Sequence, residues 1–140
     1  MGTVFGDMME GLEDLQLPEA TVRTSWLYAL AHKINRTPSL YLEAGAIHGT
    51  VLCQADRPLV YMEDVGRHNA VDKVLGAILL GRASSKSAIY TTGRLTSDMV
   101  LKCARIGIPI IMSRTAPSSL GLAIARKSGA TLAAYARPER

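Results

Sequence analysis

Three stretches of this 140-residue chain carry side chains of the kinds that bind anions, each at the passage from an apolar run into a helical pattern. They read EDVGRHN from Glu63, TTGRLTSD from Thr91 and SRTAPSS from Ser113. Each holds one arginine, Arg67, Arg94 or Arg114, whose planar fork matches phosphate oxygens. Each also holds small or hydroxyl residues that let a backbone approach a ligand: Gly66 in the first; Gly93, Thr96 and Ser97 in the second; Ser113, Thr115 and Ser118 in the third. For any one corner, hydroxyl caps and arginines that are solvated or paired with Glu63 and Asp64 explain as much. Capping does not require the same arrangement three times. The repetition points to a phosphate-bearing ligand.

Neighbouring side chains leave more than one role open. His68 could hydrogen-bond a phosphate or move a proton, or serve as a fixed structural donor to Glu63 or Asp64. His48, inside an extended run, reads as a satisfied core histidine. Asp72 and Lys73 read as a solvated face or a local ion pair, and Met62, Met99 and Met112 as core. The two cysteines, Cys53 and Cys103, form no CxxC pair and have apolar neighbours. They read as buried, reduced thiols.

The elements that must position the corners follow from periodicity. Leu27, Leu30, Ala31 and Ile34 recur at helical spacing within a pattern from Ala20 to about Asn35. Extended runs at 46–53 and 59–62, joined by QADRP, suit a hairpin with a five-residue link. A helix follows in which Val71, Val74, Leu75, Ile78 and Leu79 make one apolar face. Then come a strand at 88–92, a helix at 97–106 stopped by Gly107, the apolar strand IPIIMS, a helix at 118–127 before Gly129, and a last strand, ATLAAYA. This order is that of an α/β sandwich whose later strands are parallel. In such a sheet the three corners lie on one edge, outside the carboxyl ends of the strands, where helix N-termini favour anions.

Composition bounds the rest. One domain's worth of chain with 48% hydrophobic and 20% charged residues is globular. The net charge of +4 favours anionic partners, but no basic run and few aromatic residues argue against nucleic acid. No apolar run reaches the ~18 residues of a membrane span, and the start lacks a secretory signal. The default reading is cytoplasmic.

The same corners carry a family resemblance. EDVGRHNAVDKVLG, TGRLTSDMVLKCARIGIPI, SRTAPSSLGLAIA and ATLAAYARPER, in that order, resemble the FdhD-type formate dehydrogenase accessory proteins over about Leu40 to Arg140. The resemblance implies a cytidine deaminase-like C-terminal domain over 20–140, a three-layer α/β sandwich with a mixed five-stranded sheet, preceded by a lead-in at 1–19. It implies sulfur transfer: a cysteine takes sulfur from a cysteine desulfurase as a persulfide. The sulfur then passes to a molybdenum (or tungsten) bis-pyranopterin guanine dinucleotide cofactor bound for formate dehydrogenase. The pyrophosphates of that ligand agree with the phosphate site. The implied contacts are Glu63, Gly66, Arg67, His68, Gly93, Arg94, Ser97, Ser113, Arg114 and Thr115, with the C-terminal segment Tyr135, Ala136, Arg137, Pro138, Glu139 and Arg140. A homodimer is also implied.

One departure limits the transfer of function. The carrier cysteine of the family belongs to a CxxC upstream of the domain's first helix, and this chain has no CxxC. Cys53 and Cys103 do not align with it, so no catalytic residue carries over. The expectation is a fragment, half of a split gene or a shortened paralogue. A cofactor-binding chaperone without sulfur transfer is the alternative; a module for acidic partners or RNA is a third, favoured by charge alone. Zinc deaminase chemistry needs H-x-E and P-C-x-x-C at two helix starts. Here those starts read GRHNAVD and TGRLTSD, so no zinc is expected.

Overall fold

The computed structural model describes residue 17 and residues 23–36, 47–55, 57–82 and 88–136. Its elements run α1 (Thr24–Arg36), β1 (His48–Gln54), β2 (Arg57–Asp64), α2 (Arg67–Leu79), β3 (Ala88–Thr91), α3 (Ser97–Ile106), β4 (Ile110–Ser113), α4 (Ser119–Ser128) and β5 (Thr131–Ala133). Apart from Leu17, whose N–H donates to the Ser128 carbonyl, the lead-in at 1–19 lies outside the described residues.

The five strands form one mixed sheet in the order β2-β1-β3-β4-β5. β1 is antiparallel to both neighbours, while β3, β4 and β5 run parallel. Since β2 and β3 both oppose β1, they point the same way. Four carboxyl ends and the start of β1 at His48 therefore meet at one edge of the sheet. The parallel pairing expected for 88–92 and 108–113 is present.

Alternation along the strands builds two cores on opposite faces. Leu52, Ile89 and Ile111 pack with Val71, Val74 and Leu75 of α2, Met99 and Val100 of α3, and Ile124 of α4. Val51, Cys53, Tyr90 and Met112 pack instead with Leu30 and Ala31 of α1. The result is three layers: one helix, the sheet, three helices. Each fully buried large apolar side chain contributes about 1.5–3 kcal/mol, so the two-sided sheet core anchors the edge that carries the corners. Among the described residues no helix is long and apolar enough to cross a membrane.

Four sequence expectations need correction. Gln54 pairs with Arg57, so the hairpin link is two residues rather than five, with Ala55 in the left-handed region at φ 56°. Pro58 enters β2 because β2 is an edge strand, where a missing N–H is tolerated, and the register shifts beside it, between Leu52 and Cys53. Leu79 leaves the apolar face of α2 and is 76% exposed, while Ala70 and Ala77 are buried. The last strand ends at Ala133 instead of running through ATLAAYA, since Tyr135 turns at φ 55°.

Candidate functional site

At the first corner the carboxylate of Asp64 organises the turn from β2 into α2. It accepts hydrogen bonds from the Gly66 N–H (3.0 Å) and Asn69 Nδ2 (3.3 Å), and pairs with Lys73 Nζ at 2.9 Å. The Gly66 N–H and Lys73 hold its pKa down at about 2. A depressed carboxylate stabilises the fold fully above its ordinary pKa of 3.8 and loses that contribution as pH falls toward about 2. Asp64→Asn is therefore expected to flatten the stability profile below pH 4, read by denaturant melts across that acid window. Lys73 Nζ also donates to the Glu63 carbonyl at 2.7 Å, tying the strand end to the second turn of α2. The Glu63 carboxylate is on the other face of the sheet, where it accepts from Tyr61 Oη at 2.6 Å.

His68 bonds across the edge. Its Nε2 lies 3.1 Å from Thr96 Oγ1, joining the first corner to the second instead of to Glu63 or Asp64. The third corner is joined to the second by Ser113 Oγ, which donates to the Gly93 carbonyl at 2.6 Å. Ser113 Oγ also accepts from the Thr115 N–H at 3.0 Å. The chain beyond β5 then folds across this corner: Tyr135 N–H donates to the Thr115 carbonyl, and Ala136 N–H to the Ser113 carbonyl. Tyr90 Oη closes the turn by donating to the Ala136 carbonyl at 2.7 Å. The three corners, with Tyr135 and Ala136, are thus joined by hydrogen bonds into one rim.

The helix starts on this rim are not equivalent. Gly66 and Thr96 cap α2 and α3 with no side-chain hydrogen bond, which leaves those N–H groups to other acceptors. At α4 the Ser118 hydroxyl accepts from the Gly121 N–H at 3.0 Å, so this helix caps itself. Asp98 puts a negative charge in the first turn of α3, whereas α2 has none there. The start of α2 carries no acidic residue of its own, but the Asp64 carboxylate stands beside it on the Gly66 N–H.

The structure therefore brings together Gly66, Arg67, His68, Gly93, Arg94, Ser97, Ser113, Arg114, Thr115, Tyr135 and Ala136. Arg137, Pro138, Glu139 and Arg140 lie outside the described residues. Gly93 has a specific reason to be glycine. A Cβ there would come 2.7 Å from Arg67 Cβ and 3.2 Å from its Cδ, so the arginine stem lies against bare backbone.

Sequence reasoning left His48 and Thr92 out of the site. His48 Nδ1 is 3.2 Å from Thr92 Oγ1, which also accepts from the Gly49 N–H at 3.1 Å. Burial and the Arg67 guanidinium lower the His48 pKa, and pairing with Asp64 sets the residue beside the first corner. A signal was present. Continuing the expected hairpin, with Cys53 facing Leu59, sets His48 opposite Asp64, and the observed register pairs those two residues. Both cysteines lie away from this edge: Cys53 faces Ala88, at the opposite end of the sheet, and Cys103 sits in the second half of α3. Among the described residues no group of three or more His, Cys, Asp or Glu side chains could hold a metal ion.

The FdhD/NarQ family model matches residues 1–140. A relative from Anaeromyxobacter dehalogenans, named sulfur carrier protein FdhD, is 39% identical over 142 residues, covering 95% of this chain and 49% of its own length. One of the same name from Wolinella succinogenes is 41% identical over 102 residues, covering 72% of this chain and 36% of its own. A crystal structure of a Desulfotalea psychrophila protein, assigned as a formate dehydrogenase accessory protein, shares 57% identity with a TM-score of 0.84. It covers 94% of this chain and 58% of that protein. The chain spans about half the length of the curated relatives it matches. From the four motifs on one rim to the match along its whole length, the chain belongs to the FdhD/NarQ family.

Proposed function

We propose that this chain supplies the cofactor-binding part of a formate dehydrogenase accessory sulfur carrier. The observation that carries this reading is the rim itself: three arginine-bearing corners joined by the His68–Thr96 and Ser113–Gly93 hydrogen bonds. The substrate is a bis-pyranopterin guanine dinucleotide of molybdenum or tungsten, awaiting sulfur before insertion into formate dehydrogenase. Two features fit such a ligand. Arg67 Nε is buried without a hydrogen-bond partner, and the lack of a side chain at Gly93 lets the Arg67 stem pack against the backbone of the second corner.

In this reading Arg67, Arg94 and Arg114 neutralise phosphate oxygens, and the uncapped starts of α2 and α3 donate N–H groups to them. The ring of Tyr135, 55% exposed at the rim, offers a flat face to guanine. The family's CxxC supplies the persulfide-bearing sulfur, delivered by a cysteine desulfurase, and a homodimer is the expected assembly. The deaminase-like fold and a cytoplasmic location belong to the same reading.

Guanosine diphosphate, standing for half of the dinucleotide, is expected to bind better than guanosine and better than adenosine diphosphate, with affinity falling as salt rises. Arg94→Ala or Arg114→Ala should each cost about 1.5–3 kcal/mol of that binding if a charged hydrogen bond is lost. Calorimetry giving equal affinities for nucleoside and diphosphate would overturn the phosphate site. A second reading, a nucleotide-binding chaperone without sulfur transfer, is favoured by one observation: both cysteines of this chain are buried.

A further inference from the structure

A groove of about 360 Å³ lies between α2 and α3, but nothing in the structure shows what would cover it. The rim carries more. Arg67 stands out there because its side chain is partly exposed while its Nε is buried with no partner. A buried donor left without a partner is costly, so the position against Gly93 is held against that cost. Its stem cannot be displaced by a side chain at residue 93, because there is none. Thr92, the residue before that glycine, fixes His48 through a 3.2 Å contact of its Oγ1 with Nδ1, so the two side chains flank the same two residues at the end of β3.

The other charged groups around His48 are already engaged. From β2, Asp64 faces His48 in register but holds Lys73, Gly66 and Asn69, and Glu63 accepts from Tyr61. From α2, Lys73 holds Asp64 and Glu63, and His68 bonds Thr96. Burial lowers the His48 pKa most, and Arg67 is the cation that adds to it.

We infer that Arg67 and His48 form a proton-coupled oxyanion seat, in which binding of a phosphate-like group is accompanied by proton uptake on His48. Two geometric routes lead to the same sign. An oxyanion settling beside the pair adds a negative charge next to the imidazole. Alternatively, the guanidinium turns out to meet the oxyanion and removes its positive charge from the imidazole. Either change favours the protonated ring. By linkage the protonated protein binds the oxyanion more tightly, so affinity rises as pH falls through the His48 titration. The unprotonated ring nitrogen gains an N–H bond to a proton that solvent gives up, and no other covalent bond changes. This rests on the phosphate-site reading only in taking an oxyanion as the occupant. It assigns to His48 a role beyond the core histidine of the sequence reading.

The test follows the His48 ring proton by NMR from about pH 5 to 8, with and without sulfate, an oxyanion whose own charge is constant there. The expected result is an upward shift of the His48 titration in sulfate. Arg67→Gln is expected to raise the titration without ligand and to abolish the response to sulfate. His48→Gln should remove the pH dependence of sulfate affinity while the spectrum shows the fold intact. A wild-type His48 titration that saturating sulfate leaves unmoved overturns the seat, whatever the variants do. Guanosine diphosphate separates this inference from the broader one. If sulfate shifts His48 but the nucleotide does not bind, the seat stands and the nucleotide reading falls. If the nucleotide binds without moving His48, the seat falls alone.

Discussion

Incubated with a cysteine desulfurase and free cysteine, this chain by itself is expected to acquire no persulfide. Sulfur acceptance requires an accessible thiolate to attack the incoming sulfur. Cys53 is 0% exposed and Cys103 is 1% exposed. Burial pushes both thiols up to about 12, and Asp72 near Cys103 adds to that effect more than Lys102 offsets. At neutral pH a pKa of about 12 leaves on the order of one thiolate in 10⁵, before any restriction on access. Cys53 Sγ is also occupied, donating to the Ala88 carbonyl at 3.4 Å. Mass spectrometry of the intact chain should therefore show no added sulfur, and Cys53→Ser or Cys103→Ser should change nothing in that readout. A stoichiometric persulfide lost in either variant would mean that the chain opens far enough to expose its core thiols. Supplying a protein segment that carries the CxxC is the complementary arm, and sulfur should then appear on that segment.

The second large effect concerns a single glycine. Gly93→Ala is expected to disable oxyanion binding and to destabilise the fold together. The added Cβ would sit 2.7 Å from Arg67 Cβ, an atom fixed to the α2 backbone rather than the mobile tip of a side chain. Relief requires shifting the start of α2 or the end of β3, and overpacking of this kind costs about 1–3 kcal/mol. The same shift disturbs the Gly93 carbonyl that accepts from Ser113, and so separates the second corner from the third. Gly76→Ala is the control. Nothing lies within 4 Å of a Cβ at that position in α2, so helix propensity alone applies and the variant should gain about 0.5–1 kcal/mol. Denaturant melts of the two variants should move in opposite directions. A Gly93→Ala protein as stable as the parent, with its nucleotide binding intact, would remove the notch from the account of the site.

What was legible in the sequence was whatever depends on neighbours a few residues away. The spacing of apolar residues and the stops at Gly107 and Gly129 defined α3 and α4 to within a residue, because both glycines take left-handed φ angles of 99° and 78° that end a helix. The strand-to-helix corners and their arginines were equally visible, as was the edge of the sheet on which parallel strands place them. Tertiary structure decided which of these groups meet. The His48–Thr92 and His68–Thr96 pairs span 44 and 28 residues, and no local pattern contains them. It also decided where the last strand ends. ATLAAYA keeps an extended pattern with no glycine or proline to break it, and the left-handed turn at Tyr135 persists because Ser113, Thr115 and Tyr90 take up the backbone bonds beyond it. Hydrogen-bond partners supplied from distant strands override local preference there, and that is how Tyr135 and Ala136 come to lie across the third corner.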